Sequence, residues 1–194
     1  MLDKLITTST NYLVRRQVIN EDDRDIYEYG FHALYNNIID ISSIVIISLW
    51  LGQIPQSILY HLSFVAIRQS AGGFHAKTHL RCFLMSTAIW LLSLWGISQT
   101  SSSAVCITLA GVSLILVWVK APIEHENSPM DYDKFKHMQV LSRVLSTAFF
   151  IVILFLALVM GKFHLWIAAS LAYGMASHSI LMLISLFMDH NKKV

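Results

Sequence analysis

The chain has 194 residues, of which 55% are hydrophobic and only 13% charged, with a formal net charge of +2. Soluble domains carry about a quarter of their residues as charged groups, so this composition and a mean hydropathy of +0.57 exclude an ordinary soluble domain and predict an integral membrane protein. The small charge, spread over several loops, argues against nucleic acid as a partner, and the two cysteines, Cys82 and Cys106, make no disulfide framework.

Residues 1–30 are polar and mixed. Leu2, Leu5, Ile6 and Leu13 fall on one side at helical spacing, with Lys4 and Arg15 elsewhere, although Val14 and Arg16 interrupt the pattern. That spacing predicts an amphipathic helix lying on the membrane surface. The acidic run Glu21-Asp22-Asp23, with Asp25 after it, is expected to end or bend this helix. No early apolar core with a small-residue cleavage site follows Met1, so no signal peptide is expected. The predicted domains are an N-terminal cytoplasmic segment, 1–30, and a transmembrane domain, 31–194.

Six apolar segments follow, at 33–51, 56–70, 82–98, 103–120, 141–160 and 164–187. Five approach the ~20 residues that cross a bilayer. The second is shorter, carries His61, and fits a tilted span or a re-entrant element. Lys and Arg collect before the first segment, in the 68–81 gap (Arg68, Lys77, Arg81), around the 121–140 gap (Lys120, Lys134, Lys136, Arg143) and in the tail (Lys192, Lys193). The gaps 52–57 and 98–103 have none, and 161–163 has only Lys162. Positive charge marks the cytoplasmic side, so the alternation predicts six crossings, with both termini and the 68–81 gap in the cytoplasm. The predicted fold is all-α, a polytopic membrane protein of about six transmembrane helices behind an amphipathic surface helix. Trp50, Trp90, Trp95, Trp118 and Trp166 read mostly as interfacial anchors. The residues from Asp131 to Lys136, after Pro122 and Pro129, are expected to open a short helix leading into the fifth segment.

The 68–81 gap and the residue after it carry the chemistry: Arg68-Gln-Ser-Ala-Gly-Gly-Phe-His75-Ala-Lys-Thr-His79-Leu-Arg-Cys82. Thiol attack on a carbonyl needs a base and donors that hold the oxyanion. His75 is a candidate base for Cys82, and backbone N–H groups around Gly72, Gly73 or Cys82 are candidate donors. On one continuous helix, positions 75 and 82 would share a face but lie about 10 Å apart along the axis, too far for a hydrogen bond. If the two act together, His75 must sit on a turn, which the Gly72-Gly73 pair permits, folded back over the start of the third span. A helix N-terminus at Cys82 would favour a thiolate.

Other readings stay open on spacing alone. The cysteine can be an incidental loop residue. His75, His79 and Cys82 can also face one metal ion, though a fourth ligand is missing nearby. Arg68 is either a carboxylate-binding or loop-stabilising group or a topology charge, as Lys77 and Arg81 are read to be. Asp40 is the only carboxylate inside an apolar segment, which makes it a functional candidate: it can orient His75 as the third member of a triad, pair with His61 or line a peptide path. His178 and Cys106 read as buried packing residues, His178 with a hydrogen bond.

Arg68-x3-Gly72-Gly73-x-His75-Ala76 followed by Cys82 resembles the signature of the AgrB family, the membrane peptidases of the accessory gene regulator. The likeness covers nearly the whole chain, including Ala121-Pro122 and Asn127-Ser128-Pro129 in the second cytoplasmic loop. Where many members have lysines before that proline, this chain has Glu124-His-Glu-Asn-Ser128, so a lysine role in gripping the substrate is not carried over. The resemblance implies a quorum-sensing protein in the cell membrane of a Gram-positive bacterium. It implies a cysteine endopeptidase with His75 and Cys82 as the catalytic pair, Arg68 and Gly73 on positions the family keeps, and residues 31–194 as the peptidase domain. The substrate would be a precursor peptide of the AgrD type, cut near its C-terminal tail through a thioester on Cys82 and closed to a thiolactone or lactone. No metal or organic cofactor is expected, membrane lipid is, and a homodimer is the implied assembly. The alternatives are a non-enzymatic peptide binder or exporter and a metal-dependent membrane hydrolase.

Overall fold

A computed structural model describes residues 2–73, 78–123, 130–159 and 164–192. Its elements are α1 (Leu2–Arg15), a 3-10 turn (Glu21–Asp23), α2 (Arg24–Leu51), α3 (Ile54–Ala71), α4 (His79–Gln99), α5 (Ser103–Lys120), α6 (Tyr132–Val159) and α7 (Leu165–Lys192). Among the described residues the one strand-like contact is an isolated bridge between Gly72 and Ile123. The protein is all-α and polytopic in the membrane, with α2, α4, α5, α6 and α7 long and apolar enough to cross it.

The helices fall into two compact units, Met1–Gly52 and Gln53–Val194. In the first, α1 packs on α2 and buries Ile6 and Thr10, while Leu5 stays half exposed. Arg24 pairs with Glu21 and Glu28 and donates to Asn11 Oδ1 at 2.8 Å. These bonds start α2 at Arg24, well ahead of the apolar run at 33–51. Gly52, left-handed at φ 66°, ends it, as a helix C-cap glycine does.

In the second unit α3 is the exception among the six apolar segments. Its 18 residues reach ~27 Å, but Gln56, Ser57, His61, Ser63, Arg68, Gln69 and Ser70 keep it out of the group apolar enough to cross. It turns Ser57, Tyr60, Ser63, Ile67, Ser70 and Ala71 inward and leaves Ile58 and Leu62 exposed, with α7 as its main neighbour.

Small residues let these helices approach closely. Ala168, Ala169 and Ala172 of α7 are fully buried. At Gly174 a Cβ would collide with Ser63 Oγ and the Tyr60 carbonyl, and at Gly96 it would lie 2.5 Å from the Tyr173 ring. Hydroxyls bridge the gaps: Ser63 donates to the Leu171 carbonyl at 2.9 Å, Ser93 meets Ser177 at 3.0 Å, and the Tyr60 hydroxyl bonds with both serines. Lipid is as apolar as leucine, so close packing and such bonds hold membrane helices together. Trp90 departs from the anchor role: it is buried in α4, edge-on to His61 with ring centres 5.4 Å apart. Residues 132–136 form no separate helix but are the opening turn of α6.

Candidate active site

Arg68 stands in the last turn of α3. Its guanidinium lies over the Phe64 ring, 5.9 Å from the centroid, and 3.5 Å from where a Cβ of Gly73 would be. The helix ends at Gly72, whose N–H donates to the Arg68 carbonyl at 3.1 Å. Gly72 (φ 72°) and Gly73 (φ 137°) both adopt backbone angles that side chains disfavour. Gly72 has a steric reason as well, since a Cβ there would meet the Ile123 carbonyl oxygen at 2.5 Å. The Ile123 N–H donates to the Ala71 carbonyl at 3.0 Å. The chain just after α5 is thus laid against the turn just after α3.

The third partner of this turn comes from α7. His178 is fully buried, and its Nε2 lies 3.0 Å from the Gly72 carbonyl oxygen. A carbonyl only accepts, so Nε2 carries the proton and donates. Arg68 is close enough for its charge to act on His178.

Cys82 occupies the first turn of α4. Thr78 is the extended N-cap and makes no side-chain capping bond. The Cys82 N–H donates to the Thr78 carbonyl at 3.1 Å, so the N–H groups of the three residues ahead of it have no acceptor within the helix. The thiol is free and half-buried, and Arg68 interacts with it electrostatically. The one half-buried thiol of the chain therefore stands at the positive end of a helix, within electrostatic range of the guanidinium that lies against Gly73.

Of the residues singled out from sequence, Gly72 and Gly73 form the turn after α3, and Arg68 lies against Gly73 and acts electrostatically on Cys82. His75 lies outside the described residues, as does the 124–129 stretch of the second loop. Asp40 is half-buried on α2, in the other compact unit. Of the alternative metal set His75, His79 and Cys82, Cys82 alone has a described side chain; among the described residues no three His, Cys, Asp or Glu group to hold a metal ion. Sequence reasoning missed Ile123, which acts through its backbone and leaves no signal in residue type. His178 is buried and hydrogen-bonded, as read from sequence, but its acceptor, the Gly72 carbonyl, was not foreseen.

Residues 6–188 match the family model described as Accessory gene regulator B. The chain belongs to the AgrB family. It is 29% identical over 150 residues to accessory gene regulator protein B of Staphylococcus saprophyticus, covering 75% of this chain and 79% of that protein. Against the protein of the same name from Staphylococcus aureus strain RF122 it is 23% identical over 182 residues, covering 93% and 94% of the two. An AgrB-like protein of Listeria welshimeri is 29% identical over 128 residues, 63% of this chain and 61% of that one. No solved structure matches the chain. Membership assigns this membrane protein to the accessory gene regulator quorum-sensing system, and the whole stretch from Arg68 to Cys82 falls inside the matched region.

Proposed function

We propose that this AgrB-family protein is a membrane-embedded cysteine endopeptidase. It cleaves a precursor peptide of the AgrD type near its C-terminal tail and supports closure of the product to a thiolactone or lactone. The observation that carries the reading is the position of Cys82: a free, half-buried thiol in the uncapped first turn of α4, within reach of the Arg68 charge, seven residues after His75.

In this reading His75 takes the Cys82 proton and the thiolate adds to the scissile carbonyl carbon. The N–H groups of Gly72 and Cys82 already donate to Arg68 and Thr78. The oxyanion is assigned instead to the N–H of Gly73 and the open N–H groups of Leu80 and Arg81 at the head of α4. The tetrahedral intermediate collapses, the C–N bond breaks, and the leaving amine takes the proton from His75. Cys82 is left as a thioester. A thiol or hydroxyl within the bound peptide then attacks that thioester, its proton passes to the Cys82 sulfur, and the ring closes. Exchange of one thioester for another is nearly neutral, whereas hydrolysis runs downhill, so the site must keep water out and hold the internal nucleophile close. Arg68, which lies against Gly73, adds a positive charge that favours the Cys82 thiolate.

The charge alternation supports a cytoplasmic site and cytoplasmic termini, and a homodimer is the proposed assembly. The test is reconstitution in lipid vesicles with the precursor peptide, read by mass spectrometry for wild type, Cys82→Ala and His75→Ala. Tail release and an acyl adduct on Cys82 are expected in wild type and in neither variant. Cleavage that persists in Cys82→Ala overturns the reading; cleavage lost with a chelator would favour a metal hydrolase instead.

A further inference from the structure

The Gly72-Gly73 turn has the conformation the site needs, but glycine does not hold a conformation. Two adjacent glycines at φ 72° and 137° have more alternatives open to them than any other pair of residues. What fixes the turn comes from elsewhere in the chain. The carbonyls at a helix C-terminus have no partner within the helix. At the end of α3 the Ala71 carbonyl takes the Ile123 N–H at 3.0 Å, and the Gly72 carbonyl takes His178 Nε2 at 3.0 Å, from 106 residues away in sequence.

We propose that His178 is a positioning residue for the Cys82 chemistry: its Nε2–H clamps the Gly72 carbonyl and so sets the turn from which His75 follows. The inference rests on the cysteine–histidine reading above. A packing role alone does not account for a histidine here. The side chain is fully buried, and among the described residues its Nδ1 has no hydrogen-bond partner. Burying an unpaired polar atom is costly, and an apolar side chain of similar size would fill the space without that cost. The ring contributes one thing an apolar residue lacks, a donor aimed at Gly72. The clamp also ties α7 to α3 at the point where the chain leaves the helix for the catalytic loop.

The test compares His178→Gln, His178→Asn, His178→Met and His75→Ala in lipid vesicles. Two rates are read: alkylation of Cys82 by iodoacetamide at pH 7, followed on the Cys82 peptide by mass spectrometry, and cleavage of the precursor, split into kcat and KM. Gln places its amide nitrogen near the position of Nε2, whereas Asn is equally polar but a methylene too short, and Met fills the volume without donating. His178→Gln is expected to stay within about twofold of wild type. His178→Asn and His178→Met are expected to lose about tenfold in kcat and in alkylation, the scale of one hydrogen bond, with KM unchanged. If Met fails to fold, the Gln and Asn pair still decides. Asn at the wild-type rate, or Gln as slow as Asn, overturns the clamp. The two readings fail separately: unchanged alkylation and cleavage in His75→Ala sinks the cysteine–histidine pair itself, whereas loss in His75→Ala with wild-type behaviour in His178→Asn sinks only the positioning role.

Discussion

Helices α2 and α7 are of equal length, 28 residues each, and both are apolar enough to cross a membrane. In their apolar stretches, however, 6% of α2 is buried inside the protein and 56% of α7. The composition of each helix explains the difference. α2 turns Ile41, Ile46 and Trp50 outward. α7 buries Ala168, Ala169, Ala172, Ser177 and His178. Apolar character tells that a helix enters lipid. Small and polar residues tell which side of it meets protein, because in lipid close approach and hydrogen bonds replace the hydrophobic effect as the source of contact.

The harshest way to break this comparison is to give α7 a side chain of the α2 kind. Gly174 stands against Ser63 Oγ and the Tyr60 carbonyl, and a backbone atom cannot swing aside. Gly174→Leu is expected to destabilise by about 3 kcal/mol or more, the upper end of overpacking, measured as thermal unfolding in detergent. Ile46→Ala on α2, which is 64% exposed, is expected to change it by less than about 0.5 kcal/mol. Equal losses would mean that α2 is as closely packed as α7.

A smaller effect on stability, but a large one on chemistry, is expected at the glycine turn. Gly72→Ala brings a Cβ to 2.5 Å from the Ile123 carbonyl, whereas at Gly73 the nearest group is the Arg68 guanidinium at an ordinary 3.5 Å. Both residues have positive φ, so both alanines carry conformational strain of about 1–3 kcal/mol. Only the first adds a collision with backbone. Gly72→Ala is therefore expected to lower the rate of precursor cleavage further than Gly73→Ala does, with the two separated by at least about tenfold. The reverse order would show that the bridge between the two loops is not what holds the site.

These effects mark the line between what was legible in the sequence and what was not. The membrane class and the helical segments were legible, because each depends on local composition, and Arg68, Gly72, Gly73 and Cys82 stood out as a motif within fifteen residues. The inward face of α3 was half legible: its polar residues shortened the apolar run without saying that they face α7. The partners of Gly72 were not legible. Ile123 lies against it through the backbone alone, its N–H going to the neighbouring Ala71 carbonyl, and every residue but proline owns such a group. His178 reaches it across most of the chain, and one histidine in an apolar run does not name its acceptor. Trp90 was misjudged for a related reason, since a tryptophan reads as an anchor until a neighbour such as His61 covers it.

The finest comparison is between two serines. Ser43 on α2, half-buried, donates to the Ile39 carbonyl of its own helix at 2.8 Å. Ser93 on α4 makes the same kind of bond to the Ile89 carbonyl, also at 2.8 Å, and in addition meets Ser177 of α7 at 3.0 Å. The bond within the helix adds little, because the carbonyl it reaches is already satisfied by the helix itself. Ser43→Ala is thus expected to leave the unfolding midpoint unchanged, while Ser93→Ala costs about 0.6 kcal/mol, the typical worth of a side-chain bond between membrane helices. A double-mutant cycle with Ser177→Ala isolates that share. A coupling near zero would mean that the Ser93 and Ser177 hydroxyls only fill space, and that α4 and α7 are held by other contacts, such as the fit of Gly96 against Tyr173.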